Sequence, residues 1–502
     1  MKEKYLYYLT SFLCGLCVMG VEMGATRLLS PYFGSTNLIW TVIICLIMLG
    51  LGCGNYLGGR LADKHQNATA LYGCIAVGGV FVALIPLISR PVISGGLLIA
   101  DTMGSQNGFL LAAIAACAIL FVPPIILLGM VSPYLAKLCV SDLSHTGVTL
   151  GRLQVISTAG SIIGSVLPAF VLIPLIGTKL SFAFFAALLL LPCLLYWLSA
   201  KKRKMAAVST LCLLLAVSSA FYAGSAIAPG YSLYETESSY QYLRVQQFSG
   251  YRTLSTGLNT YAQSIRREGG ANKLTYTYLD TLATLPALTK SDEPATMLVI
   301  GYGGGVLSPL VTNQYDNVDC VFVEIDPAMV EVAREYFGAN PNDKVFLDDG
   351  RRFLQATGER YNAIAIDAYH DTSIPLNLVT REFFALCAQK LRPGGACAIN
   401  IAMAANGDNA FCRALGETMN QAFPYVLFVP SAVGTNAVFI GSDVPLPFEQ
   451  ALAQYDESWL LWAELDYMRQ SAAPAPRGGS IMTDDRSNAE LLQLEAYSLT
   501  AY

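Results

Sequence analysis

The feature that most constrains this chain is a change of character part-way along it. From Tyr5 to Ala228 long apolar runs follow one another closely; after Tyr231 the sequence is ordinary globular sequence. A membrane-spanning helix needs about 20 apolar residues. Seven stretches qualify: Tyr5–Met23, Leu38–Leu57, Thr69–Ile88, Leu110–Met130, Leu153–Ile176, Leu180–Leu198 and Met205–Ala226. They are rich in Gly, Ala and Ser, which lets helices pack closely in lipid. A multi-pass α-helical bundle is expected over residues 1–228, with a boundary near Pro229-Gly230. Composition agrees, since 13% charged residues and a mean hydropathy of +0.47 lie far from the roughly 25% charge of soluble domains.

Other properties narrow the field. The net charge is −5 with no basic face, so nucleic acid is not an expected partner. Of 13 Cys, nine lie in the apolar half, and no Cys/His spacing points to a metal; they read as small buried hydrophobes. The N-terminal MKEKYLYYLTSFLCGL lacks a clear small-x-small cleavage site, so it reads as a first transmembrane helix rather than a signal peptide. Pro123-Pro124 should kink the fourth span. Glu22 and Arg27 fall at the end of the first span. They read either as a helix-end pair reaching the interface or as an ionisable pair facing a cavity or the attached domain. GCGNYLGGRLADK, residues 52–64, resembles a short loop of transporter-like helical bundles.

Lys2, Lys4, Arg60, Lys64, Lys137, Arg152 and the run Lys201-Lys202-Arg203-Lys204 share one side of the expected bundle, which should be cytoplasmic. A count of seven spans then puts the C-terminal half on the opposite side from a cytosolic metabolite. The expected location is thus a cell membrane, with the side of the second half open.

Within that second half, MLVIGYGGGVLSPLV (297–311) stops an apolar run at Gly301 and adds Gly303, Gly304 and Gly305. Thr296–Ile300 suits a buried parallel strand, and glycines there permit positive φ and close backbone approach to a ligand. VFVEI (321–325) is a second strand and PAMVEVAREYF a helix with Pro327 at its start. Glu324 closes the second strand about twenty residues after the glycines, where an acid can accept hydrogen bonds from both ribose hydroxyls. The spacing alone fits a dinucleotide or S-adenosylmethionine (SAM), but GYGGG lacks the last glycine of GxGxxG. KVFLDDGRRFL ends a third strand at Asp348-Asp349-Gly350, where a carboxylate can accept the adenine amino group. YNAIAIDAYHD gives a fourth strand with Asp367 beyond it, and LRPGGACAINI a helix end, a turn and a fifth strand. In open α/β sheets ligands lie beyond the carboxyl ends of the strands. Gly301–Gly305, Glu324, Asp349 and Asp367 all belong to that edge.

With these motifs the chain resembles the spermidine synthase (polyamine aminopropyltransferase) family, and more closely its membrane-fused branch. The resemblance covers about Glu235 to Asn400 and, in general pattern, the apolar half. It implies a small β-rich part at 229–290 and a Rossmann-like SAM-type domain at 291–502. It implies transfer of an aminopropyl group from decarboxylated SAM to a diamine, with release of methylthioadenosine and no metal. By resemblance, Gln241 in ESSYQYLRV helps bind the sulfonium ligand, and Tyr278 in LTYTYLDTLATLPAL lines the active site. VEIDP is the ribose strand with Glu324, Asp349-Gly350 the adenine contact, and Gly301, Gly303 and Gly304 the ligand turn. IDAYHDTSIPLNLVTREFF is the gate loop, with Asp367 catalytic and Asp371 its helper. There are departures. Soluble members read GGGDG where this chain reads GYGGG, and the missing Asp binds the amine of the transferred group. Their DSSDP becomes DAYHD, and Leu279 replaces a polar residue after the Tyr.

A carboxylate beside the acceptor amine can take its proton and aim the nitrogen; Asp367 is the candidate. Asp371 has a second reading as a helix N-cap, and His370 reads as a loop residue or a tuner of the acid pair. Three functions are carried: aminopropyl transfer to a polyamine; cleavage or cyclisation of SAM itself without a diamine, which the missing Asp favours; and a transporter or sensor whose second half binds a nucleoside-type ligand. A methyltransferase acting on a membrane substrate is a variant. Expected partners are the lipid bilayer, the small-molecule substrates and a second copy of the chain. IMTDDRSNAELL (481–492) resembles a segment common at the end of the fused branch. It reads as a helix start, with Asp484 or Asp485 capping NAELL, or as a docking element.

The short junction at residues 228–233 leads to the expectation that the bundle admits or shields a substrate and is not only an anchor. Residues 231–502 expressed alone should bind an adenosyl ligand without turning it over. If that fragment matches the full chain's turnover in detergent, the bundle is an anchor only.

Overall fold

The computed structural model describes residues 2–34, 37–103, 106–140, 146–222, 232–257, 262–267, 274–289, 294–369, 373–402, 409–489, 492–493 and 496. It divides into two compact units. One comprises Met1–Pro229, Thr236–Tyr242 and Gly257–Asn259; the other Gly230–Glu235, Leu243–Thr256 and Thr260–Tyr502.

The first unit is helical. Among the described residues five helices are long and apolar enough to cross a membrane: Lys4–Phe33, Asn37–Lys64, Ala68–Ile99, Val122–Cys139 and Thr146–Ser199. The sequence led to seven. The expected fourth span is broken: one helix ends at Leu120 and the next starts at Val122, with proline in its first turn, because Pro123 and Pro124 offer no N–H to the preceding turn. The expected fifth and sixth spans are helices on either side of Gly177, whose φ of 77 and ψ of 166 break the helix within one long apolar run. The first helix also differs from expectation. It extends over Lys2–Phe33, so Glu22 lies inside it and not at its end. Glu22 is buried, and its Oε2 meets no hydrogen-bond partner among the described residues.

Small residues let the first helix and Thr146–Leu167 touch backbone to backbone. A Cβ placed on Gly160 would stand 2.1 Å from the Phe12 carbonyl oxygen, and one on Gly164 2.1 Å from that of Leu16. Such close approach brings many backbone atoms of the two helices into van der Waals contact.

The second unit is α/β. A four-stranded sheet in the order β1-β2-β3-β4 joins β1 (Ser232–Glu237), β2 (Tyr242–Phe248), β3 (Tyr251–Ser255) and β4 (Ser264–Arg267). Ser249 and Gly250 take φ of 52° and 78° between β2 and β3, the tight hairpin turn whose twist matches its strands. Leu243, Val245 and Leu254 of this sheet pack on Met329 and Val332 of the helix Pro327–Tyr336 and on Phe337 just after it.

The large sheet has eight strands: β5 (Ala295–Ile300), β6 (Val318–Glu324), β7 (Lys344–Leu347), β8 (Tyr361–Ile366), β9 (Leu391–Ile401), β10 (Tyr425–Pro430), β11 (Ala437–Ser442) and β12 (Ala473–Pro474). Their order is β12-β10-β11-β9-β8-β5-β6-β7. The strands from β5 to β9 pair in parallel, and β11 and β10 are antiparallel. β5 is apolar at every position but Thr296 because it is covered on both faces. Leu298 and Ile300 enter one core, Met297 and Val299 the other, as the strand period of two requires. LRPGGACAINI follows a helix that ends at Lys390; it pairs with β8 at Leu391 and again from Ala396, with Gly394 at φ 75 in the bulge between.

The chain leaves β5 toward β6 on one side and later returns to β8 on the other. The ends of β5 and β8 therefore flank the point where strand order reverses, which is where such sheets open a crevice.

Helix packing in the first unit is testable with two substitutions on one helix. Gly164→Leu should lower the melting temperature in detergent by roughly 3–10 °C, the cost of overpacking. Gly151→Leu, where a Cβ meets nothing within 4 Å, should leave it unchanged. Equal melting of both variants would contradict the packing described.

Candidate active site

The glycine turn is shaped by what it must pass. Gly301 has φ 99, and a Cβ there would lie 2.2 Å from the Asp367 carbonyl oxygen. No side chain fits between the ends of β5 and β8, so only glycine allows the two strand ends this separation. The Asp367 N–H donates to the Ile300 carbonyl at 2.8 Å, locking the two ends together.

Glu324 holds the same turn from the other side. Its Oε2 accepts the Tyr302 N–H at 3.0 Å and its Oε1 the Asp326 N–H at 2.9 Å. The carboxylate is buried, and desolvation raises its pKa. Tyr302, which stands among the glycines, donates to Asp343 at 2.8 Å and packs edge-on against Phe322. Gly303 has φ 52. The Gly304 N–H donates to the Ser264 hydroxyl at 2.8 Å, and a Cβ on Gly304 would lie 2.9 Å from the Ser264 Cβ and 3.0 Å from the Phe337 ring.

Asp349 caps the helix Gly350–Ala356. Its Oδ1 accepts the Arg352 N–H at 2.9 Å, and its Oδ2 takes a long bond of 3.4 Å from the Asn377 amide. Gly350 lies against Ile300, where a Cβ would stand 2.3 Å from Cγ2.

Asp367 lies just beyond β8. Its Oδ1 accepts from the Asn400 amide at 2.9 Å and its Oδ2 from the Tyr278 hydroxyl at 3.1 Å. Desolvation raises its pKa to about 6, against the pull of those two donors. Burial, then the neighbouring Asp367 charge, raises the Tyr278 phenol well above its ordinary value, so the phenol keeps its proton and donates. The short helix Tyr278–Ala283 is set by Thr277, which caps it, and by buried Asp280. Asp280 accepts the Thr275 and Tyr276 N–H groups at 3.0 and 2.6 Å. This turn holds Tyr276 at φ 58, a conformation rare for an aromatic residue.

Gly301, Gly303, Gly304, Glu324, Asp349, Gly350, Tyr278 and Asp367 thus lie on elements that meet at the carboxyl edge of the sheet. Gln241 falls in Thr236–Tyr242, which belongs to the first unit and not to the second; it is buried, and its Oε1 meets no hydrogen-bond donor among the described residues. Asp371 and His370 lie outside the described residues. Sequence reasoning passed over Asn400, which holds Asp367 and itself accepts from Asn436 at 2.9 Å. Its signal was one amide at the end of the apolar run ACAIN. Ser264 carried no comparable signal, because its role depends on where β4 meets the turn.

Comparison with known proteins places this part of the chain. Residues 275–442 match the spermine/spermidine synthase domain. A probable polyamine aminopropyl transferase of Bifidobacterium longum is 32% identical over 238 residues, covering 46% of this chain and 51% of that protein. A polyamine aminopropyltransferase of Oceanobacillus iheyensis is 25% identical over 422 residues, covering 78% of this chain and 77% of its own. That alignment is longer than all of residues 229–502, so it runs into the helical half. The match thus spans only about half of the Bifidobacterium protein, and about three quarters of the Oceanobacillus one. A probable spermidine synthase structure from Corynebacterium glutamicum is 19% identical, with 52% of this chain and 99% of that chain covered at a TM-score of 0.40.

The raised pKa of Asp367 has a consequence for stability. An acid whose folded pKa of about 6 lies above the ordinary value of about 3.9 costs stability progressively as pH rises between the two, and fully above both. Asp367→Asn should therefore melt at or above the wild type at pH 7.5, with the gap closing toward pH 4. A variant that melts well below the wild type at pH 7.5 would contradict this. Residues 275–442 thus carry the sequence pattern of a spermine/spermidine synthase domain.

Proposed function

We propose that the chain is a membrane-bound transferase acting on a SAM-type sulfonium, with aminopropyl transfer from decarboxylated SAM to a polyamine as its reaction. The observation that carries this reading is Asp367, a desolvated carboxyl held by Tyr278 and Asn400 beyond the glycine turn. The relatives' names, polyamine aminopropyltransferase, point the same way.

In this reading Glu324 accepts the ribose hydroxyls, Asp349 the adenine amino group, and Gly301, Gly303 and Gly304 let the backbone approach the ligand. Asp367 takes a proton from the acceptor ammonium. The freed nitrogen attacks the methylene carbon next to the sulfonium; the N–C bond forms, the C–S bond breaks, and its electron pair leaves with sulfur as methylthioadenosine. A pKa near 6 leaves Asp367 largely ionised at neutral pH yet more basic than an ordinary aspartate. Tyr278 and Asn400 fix the carboxylate, and such positioning makes attack effectively unimolecular. Gln241 and Asp371 are proposed to complete the site, and the helical unit to place it at a lipid bilayer.

A second reading has SAM itself as substrate, cleaved or cyclised without a diamine. Gly304 favours it: with Ser264 and Phe337 against that position, the turn offers no room for a carboxylate to receive the amine of a decarboxylated donor.

Purified full-length protein given SAM or decarboxylated SAM, with and without a diamine, separates the readings. The first expects methylthioadenosine and a longer polyamine only with decarboxylated SAM plus diamine; the second expects methylthioadenosine from SAM alone. Methylthioadenosine in neither case would exclude both and leave a methyltransferase or a ligand-binding transporter or sensor. Glu324→Gln should weaken adenosyl-ligand binding at least about tenfold, the value of a charge-assisted hydrogen bond; unchanged affinity by calorimetry would remove Glu324 from the ribose contact.

A further inference from the structure

The segment at residues 481–492 reads from sequence as a helix start with Asp484 or Asp485 as its cap, or as a docking element. Asp484 does something else. Its Oδ1 and Oδ2 accept from Arg351 Nη1 and Nη2 at 2.7 and 2.6 Å, a two-bond pairing, and Oδ1 also accepts from the Thr380 hydroxyl at 2.7 Å. The Arg351 side chain is largely buried, at 16% exposure. The segment is anchored along its length. The Met482 N–H donates to Thr418 Oγ1 at 3.0 Å, and the Met482 carbonyl accepts from the Arg381 N–H at 2.9 Å. The Asp484 N–H donates to Glu382 at 3.0 Å. Met482 and Ala489 are fully buried in the core on that face of the sheet. Farther on, buried Gln493 meets the Ile374 backbone, accepting its N–H at 2.8 Å and donating to its carbonyl at 3.4 Å.

What these bonds hold is specific. Arg351 follows Asp349-Gly350 directly, and its Nη1 also donates to the Asn377 carbonyl at 3.1 Å. The Asn377 amide in turn reaches Asp349 Oδ2 at 3.4 Å. Ile374, Asn377 and Thr380 all belong to the stretch that returns from Asp367 to the next helix. Asp484 therefore ties Thr380 to an arginine that reaches Asp349 through Asn377, while Gln493 holds Ile374 at the start of the same stretch. Charge-assisted, two-bond arginine–carboxylate pairs fix orientation as well as distance.

We infer that residues 482–489, together with Gln493, act as a strap that sets the position of Asp349 and of the stretch 374–380, so that Asp484 and Arg351 are positioning residues for the adenosyl half of the site. The inference rests on the adenosyl-ligand reading above. A strap that positions the site changes ligand affinity; one that merely clasps the fold changes melting alone.

The test is calorimetric binding of methylthioadenosine to the full-length protein in detergent, with melting measured alongside. Asp484→Asn should weaken binding at least about fivefold, the low end of coupling between linked sites. The double variant Asp484→Asn/Arg351→Gln should bind no more weakly than the poorer single variant, and Asp484→Glu should recover part of the loss. Should Asp484→Asn fail to fold, Arg351→Lys, which keeps the charge but not the two-bond geometry, is read in the same way. Wild-type affinity in the folded variant, with or without a lower melting temperature, overturns the strap's positioning role. Failure of the wild-type protein itself to bind methylthioadenosine refutes the adenosyl reading and the strap inference with it.

Discussion

The contact on which the second unit depends is the approach of the turn after β5 to the backbone after β8. At Gly301 there is no room for even a methyl group beside the Asp367 carbonyl. That closeness follows from two neighbouring parallel strands whose chains depart in opposite directions. It also fixes the chemistry: the turn that can wrap a ligand and the carboxyl that can act on it are joined by one backbone hydrogen bond between Asp367 and Ile300. Glu324 extends the arrangement to a third strand end by accepting from the turn at Tyr302.

Around this contact the site divides into parts with different physical characters. The turn, Glu324 and Asp349 are fixed largely through backbone groups and offer acceptors suited to a neutral nucleoside. Asp367, Tyr278 and Asn400 form a desolvated group in which a phenol and an amide both donate to one carboxyl. Removing water strengthens each of these bonds and raises the acid's pKa together. Ser264, packed against Gly304, places a neutral hydroxyl beside the turn.

Much of this was legible in the sequence, for identifiable reasons. The strand before Gly301, the acid closing β6 and the acid beyond β8 are local patterns, because a buried parallel strand is an apolar run and the residue after it lies at the sheet edge. Asn400 was not legible, since an amide at the end of β9 acquires meaning only when β9 is known to lie beside β8. Asp484 was misread for the same reason: a carboxylate before a helical pattern looks like a cap, and its partner Arg351 is distant in sequence. In the helical unit the apolar character was plain but the boundaries were not. Gly177 and the Pro123-Pro124 pair alter backbone direction without altering hydropathy, so counting apolar windows separates spans differently from the helices that form.

The central claim is that Asp367 is the base that readies the attacking nitrogen. The direct measurement is kcat/KM for the sulfonium donor as a function of pH, at saturating acceptor, in the full-length protein. The donor's charge is fixed, so an acid limb reports on the enzyme complex and not on the donor. The account predicts activity falling on the acid side with an apparent pKa near 6, the value to which burial brings Asp367. A profile flat down to pH 5, falling only near the ordinary aspartate value of about 4, would contradict it.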